Sequence, residues 1–295
     1  MNPGFSITLL NEVIKLNEII TKSGVLLTDL ENFSMEDIIK SGQCFRWRKI
    51  DTNSYEGVAF SRYLRVEQNS DENTALFRCS QSDFDAFWYK YFDLNQDYQE
   101  IIDMIPQSDK FLTSAAKYCS EIRILRQCPW ECLISFIISQ QNNIPRIMQI
   151  IDKMCEIMGD KSYTSEGKIY YTFPSPQQII DKYHLLPSLG LGYRDKYVIA
   201  AAIKVSDQLY DLNHLAHLDN ESCIAELKEF YGVGDKVANC ISLFGFHHTN
   251  AFPIDVWIKR VIDEVYNGEF NPQDYAPYAG IIQQYMFHYY RSIHK

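Results

Sequence analysis

Several things are missing from this sequence. It has no excess of positive charge, no cysteine pair at metal spacing, no apolar run approaching a membrane span and no basic cluster that could serve as a nuclear address. Lys and Arg number 28 against 38 Asp and Glu, giving a formal net charge of −10, and the pI is near 5.2. That balance counts against a protein that holds nucleic acid by bulk charge, and any such contact must be local. The eight cysteines, Cys44, Cys79, Cys119, Cys128, Cys132, Cys155, Cys223 and Cys240, are scattered, mostly among apolar neighbours. No C-x-x-C occurs, and the nearest approach, Cys128 and Cys132 beside Pro129, lacks a second ligand pair. The expectation is reduced, intracellular thiols with neither zinc nor an iron–sulfur cluster. The longest apolar stretches, such as the one around Leu133 to Ile138, are far short of the roughly 20 residues a membrane helix needs. Nothing at the start resembles a signal peptide, so the expected compartment is the cytoplasm or nucleoid of a bacterium, or the nucleus of a eukaryote.

What is present is a chain of 295 residues, 46% hydrophobic and 14% aromatic, enough for a substantial core and, at about 100–200 residues per domain, for two domains. From Gly24 to Ser80, short β-rich runs (Val25-Leu26-Leu27, Cys44 to Trp47, Tyr55 to Phe60, Tyr63 to Glu67, Thr74 to Arg78) alternate with Asp, Asn, Ser and Gly. Closely spaced strands of this kind predict an antiparallel sheet. After about Asp83, and most clearly from Cys128, apolar residues recur at helical spacing, and Glu131 to Ser139 is apolar almost all round, which marks a helix inside a bundle. The expected fold is α+β: an N-terminal sheet domain with flanking helices over residues 1–120, then a mostly helical domain over residues 121–295. No internal repeat or low-complexity tract appears.

Two helix–turn–helix candidates stand out, Leu189-Gly190-Leu191-Gly192-Tyr193-Arg194 and Phe230-Tyr231-Gly232-Val233-Gly234-Asp235-Lys236. In the second, Ile224 and Leu227 close one helix, and Val237, Cys240, Ile241 and Phe244 stripe the next. A Gly-hydrophobe-Gly turn opening a helix points unpaired N–H groups outward at the positive end of the dipole, which suits a phosphate and needs no formal charge. The same turn can be a plain tight connection. Lys236 stands in the first turn of that helix, where a cation opposes the dipole and stability alone would favour an acid. A partly desolvated lysine there has its ammonium form disfavoured, freeing the amine as a nucleophile. Asp255, in Phe252-Pro253-Ile254-Asp255-Val256-Trp257, precedes an amphipathic run. It can be a helix N-cap, and a carboxylate can both cap and stabilise a cation.

Taken in order, Ser41-Gly42-Gln43-Cys44-Phe45-Arg46-Trp47, Ile122 to Gln127 continuing through Pro129 to Ile147, Gly190 to Arg194, Gly232-Val233-Gly234-Asp235-Lys236-Val237-Ala238 and Pro253-Ile254-Asp255-Val256 resemble the 8-oxoguanine DNA glycosylase family, over about Ser41 to Phe287. The resemblance implies a helix–hairpin–helix glycosylase behind a TATA-binding-protein-like sheet domain. It would be a base-excision-repair enzyme acting as a monomer on duplex DNA that carries 8-oxoguanine opposite cytosine, with no membrane partner. It implies that the lesion is flipped out of the stack, that Lys236 attacks the sugar C1′ with Asp255 as electrostatic partner, and that the resulting Schiff base undergoes β-elimination.

The pocket implied by the resemblance comprises Gly42, Cys240, Pro253, Gln283 and Phe287. The carbonyl of Gly42 would accept the N7 proton that 8-oxoguanine has and guanine lacks. Cys240 and Phe287 would sandwich the base, and Gln283 would read its Watson–Crick edge. Cys240 falls four residues after Lys236, and Phe287 four after Gln283, so each pair shares a helix face; on spacing alone Cys240 and Phe287 could be core and Gln283 surface. Gln141, Asn142, Arg146, Tyr193 and Arg194 would address the opposite strand and the kink. Gln141 departs from the family's asparagine, and Pro145 is a further local change. Gly232, Val233, Gly234 and Trp257 would face phosphates, Trp257 standing where relatives often have histidine. The backbone carbonyls of Lys228, Phe230 and Val233 would hold a structural cation, monovalent or divalent; catalysis would need no cofactor.

Three rivals are set against this reading. Iron–sulfur glycosylases place four cysteines beyond the catalytic aspartate, and here none follows Cys240. Alkylbase glycosylases lack the lysine at the position of Lys236. A catalytically silent DNA-bending module would bind without forming any product.

Overall fold

The computed structural model describes residues 17–206 and 210–294. Six strands form an antiparallel sheet: β1 (Asn17–Thr21), β2 (Gly24–Thr28), β3 (Trp47–Lys49), β4 (Ser54–Ala59), β5 (Arg62–Asn69) and β6 (Thr74–Phe77), in the spatial order β1-β2-β6-β5-β4-β3. Strand β5 pairs with β4 through Gly57↔Leu64 and Tyr55↔Val66 and with β6 through Val66↔Phe77. One face is buried: Val25, Leu27, Leu64, Val66, Ala75 and Phe77 pack under Trp47, Trp88, Tyr91 and Phe92. The approach of Trp47 to β4 depends on Gly57, where a Cβ would lie 2.2 Å from the indole ring. The Trp47 indole N–H donates to the Tyr91 hydroxyl at 2.8 Å, which satisfies a polar edge inside an otherwise apolar core.

Two strand expectations need adjustment. Cys44 to Arg46 is not strand; the ladder begins at Trp47, because Gln43 holds the preceding segment in a loop by accepting from Leu125 N–H and donating to the Arg123 carbonyl, both at 2.8 Å. Strand β1, which exposes Ile19 and Ile20, lies outside the expected set and pairs with β2 through Ile20↔Val25. The helical part also contains a short hairpin, β7 (Lys161–Tyr163) and β8 (Ile169–Tyr171).

The helices that position the site are α1 (Met35–Lys40), α2 (Lys110–Cys119), α3 (Pro129–Ser139), α4 (Ile144–Met158), α5 (Asp195–Ser206), α6 (Asn220–Leu227), α7 (Asp235–Gly245), α8 (Val256–Val265) and α9 (Ala279–Ile293). Helix α3 starts with proline at its first turn, where the missing N–H costs nothing, and buries Cys132 through Ile138 without a break. It is the central rod of the second core, against which α7 stacks Phe244 on Phe136, with centroids 5.5 Å apart. The residues of α2, though early in the chain, share this second core and pack on α9. Among the described residues no helix is long and apolar enough to cross a membrane.

Candidate active site and nucleic-acid face

The hairpin between α6 and α7 follows from its glycines. Gly232 has φ +84°, and a Cβ there would lie 2.4 Å from the Tyr197 ring on α5, so the turn can approach α5 only without a side chain. Gly234 is the N-cap of α7 and supplies no side-chain acceptor; the first-turn N–H groups point outward uncapped. Lys228, at the end of α6, pairs with Asp235 at 2.5 Å, which leaves Lys236 as the cation directed inward.

Lys236 is half-buried, its Nζ 5.6 Å from the centroid of Phe136 and close to the thiol of Cys240. Burial raises the Cys240 thiol above its ordinary range, against the pull of Lys236, so the sulfur remains a neutral, polarizable surface. Asp255 caps α8: its Oδ1 accepts from the N–H groups of Trp257 and Ile258, both at 2.9 Å. No direct ion pair joins Lys236 to Asp255 among the described residues. The cap fixes the carboxylate across the cleft from the amine without quenching it. Asn239, one turn along α7 from Lys236, accepts from Phe252 N–H at 3.2 Å and so ties the Phe252-Pro253 segment to the lysine's own helix.

The cleft between them is narrow and opens to solvent; its empty space, open mouth included, is about 330 Å³. It gathers Gly42, Lys236, Cys240, Pro253, Asp255, Gln283 and Phe287, together with Ser41, Phe136, Phe244 and Gln284. A larger hollow of about 780 Å³, lined by Arg46, Arg48, Glu56, Asp152, Glu156 and Lys168, lies elsewhere; four of these charges pair as Arg48–Asp152 and Lys168–Glu56. Gly42 follows α1 with φ +80°, and its position would bring a Cβ to 3.8 Å from the Phe287 ring. Gln283 is 3% exposed and donates to the Pro253 carbonyl at 3.0 Å.

The sequence reading missed four contributors here. Phe136 and Phe244 floor the cleft, and their helical stripes signalled only core. Gln43 staples the Gly42 loop; its only signal was its place beside Gly42 in the Ser41 to Trp47 motif. Gln284, 4% exposed, donates to Gln283 Oε1 at 2.8 Å, and nothing in its spacing set it apart.

The second group of expected residues is arranged differently. Gln141 stands at the tip of the α3–α4 connection with φ +48°, a left-handed conformation that suits asparagine better than glutamine. Asn142 donates to the Ile138 carbonyl at 3.2 Å, and Asn143 caps α4. Arg194 is 8% exposed and turned inward, donating to the carbonyls of Gln140, Gln141 and Leu191. Arg146 is exposed and reaches the Gly190 carbonyl at 3.3 Å. Tyr193 projects, 45% exposed, with the Arg194 guanidinium 4.6 Å from its ring. Trp257 lies at the start of α8 with the Arg260 guanidinium 5.2 Å from its ring.

In the α6–α7 hairpin, Phe230 O accepts from Val233 N–H at 3.0 Å, while the carbonyls of Lys228 and Val233 take no turn or loop hydrogen bond. Neutral oxygens of this kind suit a hard cation, and among the described residues no cluster of His, Cys, Asp or Glu is placed to hold a metal.

Comparison with known proteins adds the family context. The model of the 8-oxoguanine DNA glycosylase N-terminal domain matches residues 25–133. The chain is 30% identical over 272 residues to the N-glycosylase/DNA lyase of Saccharomyces cerevisiae, spanning 83% of this chain and 71% of the yeast protein. It is 29% identical over 230 residues to a probable N-glycosylase/DNA lyase of Methanothermobacter thermautotrophicus, spanning 68% and 72%. The structure of Clostridium acetobutylicum 8-oxoguanine glycosylase/lyase, solved with DNA containing cytosine opposite 8-oxoguanine, superposes with a TM-score of 0.87 at 32% identity, covering 96% of this chain and 99% of that one. A 3-methyladenine DNA glycosylase from Archaeoglobus fulgidus, at 17% identity and TM-score 0.71, shares the fold.

Proposed function

The chain belongs to the 8-oxoguanine DNA glycosylase family, and on that premise we propose how its cleft performs the family's chemistry. It is a bifunctional DNA glycosylase and AP lyase that excises 8-oxoguanine from duplex DNA in base excision repair. The single observation that carries the assignment of residues is the convergence of Lys236 and Asp255, from the N-termini of two different helices, on one cleft floored by aromatic rings.

In this reading the lesion leaves the stack and enters between Cys240 and Phe287. Unstacking costs a few kcal/mol. The Gly42 carbonyl accepts the N7 proton of 8-oxoguanine; guanine would oppose two lone pairs there, at a cost of about 1–3 kcal/mol. Gln283, held by Pro253, meets the Watson–Crick edge. The Nζ lone pair of Lys236 bonds to C1′ as the glycosidic bond breaks and the base departs with the bonding electrons. Positive charge develops on the sugar, and the fixed carboxylate of Asp255 stabilises it in a water-poor site. Loss of a proton and ring opening give a Schiff base; removal of a C2′ proton then breaks the C3′–O bond and nicks the strand 3′ to the lesion.

The N–H groups of Gly232 and Gly234 take a phosphate beside Val233, whose own N–H is given to the Phe230 carbonyl, and Trp257 offers its indole N–H to another. A cation on the carbonyls of Lys228, Phe230 and Val233 would stiffen that turn; catalysis proceeds without it. Tyr193 wedges at the kink, while Gln141, Asn142, Arg146 and Arg194 address the orphaned base, with cytosine as the preferred partner. The enzyme works inside the cell as a monomer. Its two units divide as residues 1–120 and 121–295, with α2 docked on α9 across the boundary.

The test uses end-labelled duplex with 8-oxoguanine opposite each of the four bases, incubated with borohydride. A covalent adduct and a nick, both absent from Lys236→Gln, are expected; equal trapping in that variant would overturn the assignment.

A further inference from the structure

Among the polar atoms at the cleft that the mechanism above does not use, one is buried without a partner. Gln284 is 4% exposed and lines the cleft beside Gln283. Its Oε1 is buried and has no hydrogen-bond partner. The bonds around it fix its identity: the Pro253 carbonyl can only accept, so it faces Gln283 Nε2 at 3.0 Å; Gln283 Oε1 can only accept, so it faces Gln284 Nε2 at 2.8 Å. The chain Pro253 O, Gln283 amide, Gln284 amide therefore ends on a buried acceptor without a partner. A buried orphan acceptor costs stability unless something donates to it.

The Watson–Crick edge of a guanine-type base offers one acceptor, O6, followed by two donors, N1–H and the 2-amino group. Gln283 alone cannot match that edge fully, because one of its N–H groups and one Oε1 lone pair are already engaged. We infer that Gln284 is a specificity-determining residue, whose unpartnered Oε1 accepts a hydrogen bond from the 2-amino group of the flipped base while its N–H locks Gln283 in the orientation that meets N1–H and O6. The two amides then present donor, acceptor, acceptor, the order in which cytosine itself pairs with guanine. The inference rests on the proposed 8-oxoguanine reading and narrows it to bases bearing a 2-amino group.

The experiment compares excision from two duplexes, each with cytosine opposite the lesion, containing 8-oxoguanine or 8-oxohypoxanthine, which differ only by the 2-amino group. The quantity read is the ratio of kcat/KM on the two, for the wild type and for Gln284→Met. A ratio within one preparation is independent of how much of the variant is folded. Wild-type preference for the 2-amino lesion, reduced about three- to tenfold in Q284M, is expected. An equal loss on both duplexes, or a ratio unchanged within about twofold, would assign Gln284 to packing and overturn the inference alone. Failure of the wild type to excise either lesion would overturn the 8-oxoguanine reading beneath it as well.

Discussion

The cleft around Lys236 and the loop around Gln141 are built from the same bundle but stand at different stages of readiness. In the cleft, three supports are already in place: Asp255 is held by two helix N–H groups, Gln283 by Pro253, and the Gly42 loop by Gln43. At the loop, Arg194 is turned inward onto the carbonyls of Gln140 and Gln141, and Gln141 carries a left-handed backbone. On the proposed assignment the lesion side is thus supported in the free protein, whereas for Arg194 to read the opposite base its guanidinium must leave good acceptors.

Four variants sharpen or break this contrast. The largest effect is expected for Lys236→Gln, with excision and nicking falling on the order of 10³-fold or more while thermal stability holds or rises slightly, since a cation leaves a helix N-terminus. Single-turnover kinetics and a thermal melt check both halves. Asp255→Asn should retain the cap through its side-chain oxygen yet lower excision by about 10²–10³-fold; a loss under about tenfold would mean that the carboxylate serves the helix only. Arg194→Ala removes charge-assisted bonds to three carbonyls, so about 2 kcal/mol of stability should be lost by denaturant titration, with preference for cytosine over adenine opposite the lesion weakened. If stability is unchanged, the clamp carries no weight and the contrast fails on the loop side. The smallest effect belongs to Gln141→Asn: a gain of about 0.5–1 kcal/mol from a residue better suited to positive φ, with a sharper preference for cytosine.

The same contrast explains what could be read from the sequence. Strands β2 and β4–β6 follow from β-branched and aromatic alternation, and α7 and α8 from an apolar stripe opened by Gly234 or Asp255, all local signals. The placement of Lys236, Cys240, Gln283 and Phe287 in one cleft followed from i, i+4 spacing together with the family resemblance. Three features escaped because they are tertiary. The staple through Gln43 joins residues about 80 positions apart, Phe136 becomes a floor only once α7 lies across α3, and β1 needs β2 as its template. The inward turn of Arg194 escaped for another reason: its carbonyl acceptors belong to backbone, which no side-chain pattern reveals. Gln284 is one residue away from the spacing that selected Gln283, and only its buried, unpartnered oxygen marks it.

The central claim is that the nucleophile is one particular amine. Borohydride trapping on 8-oxoguanine duplex, followed by nuclease and protease digestion and mass spectrometry, locates the sugar remnant on a peptide. Recovery of the remnant on Lys236 alone is the predicted result; a remnant on another amine, or full cleavage with no covalent adduct, would contradict the account.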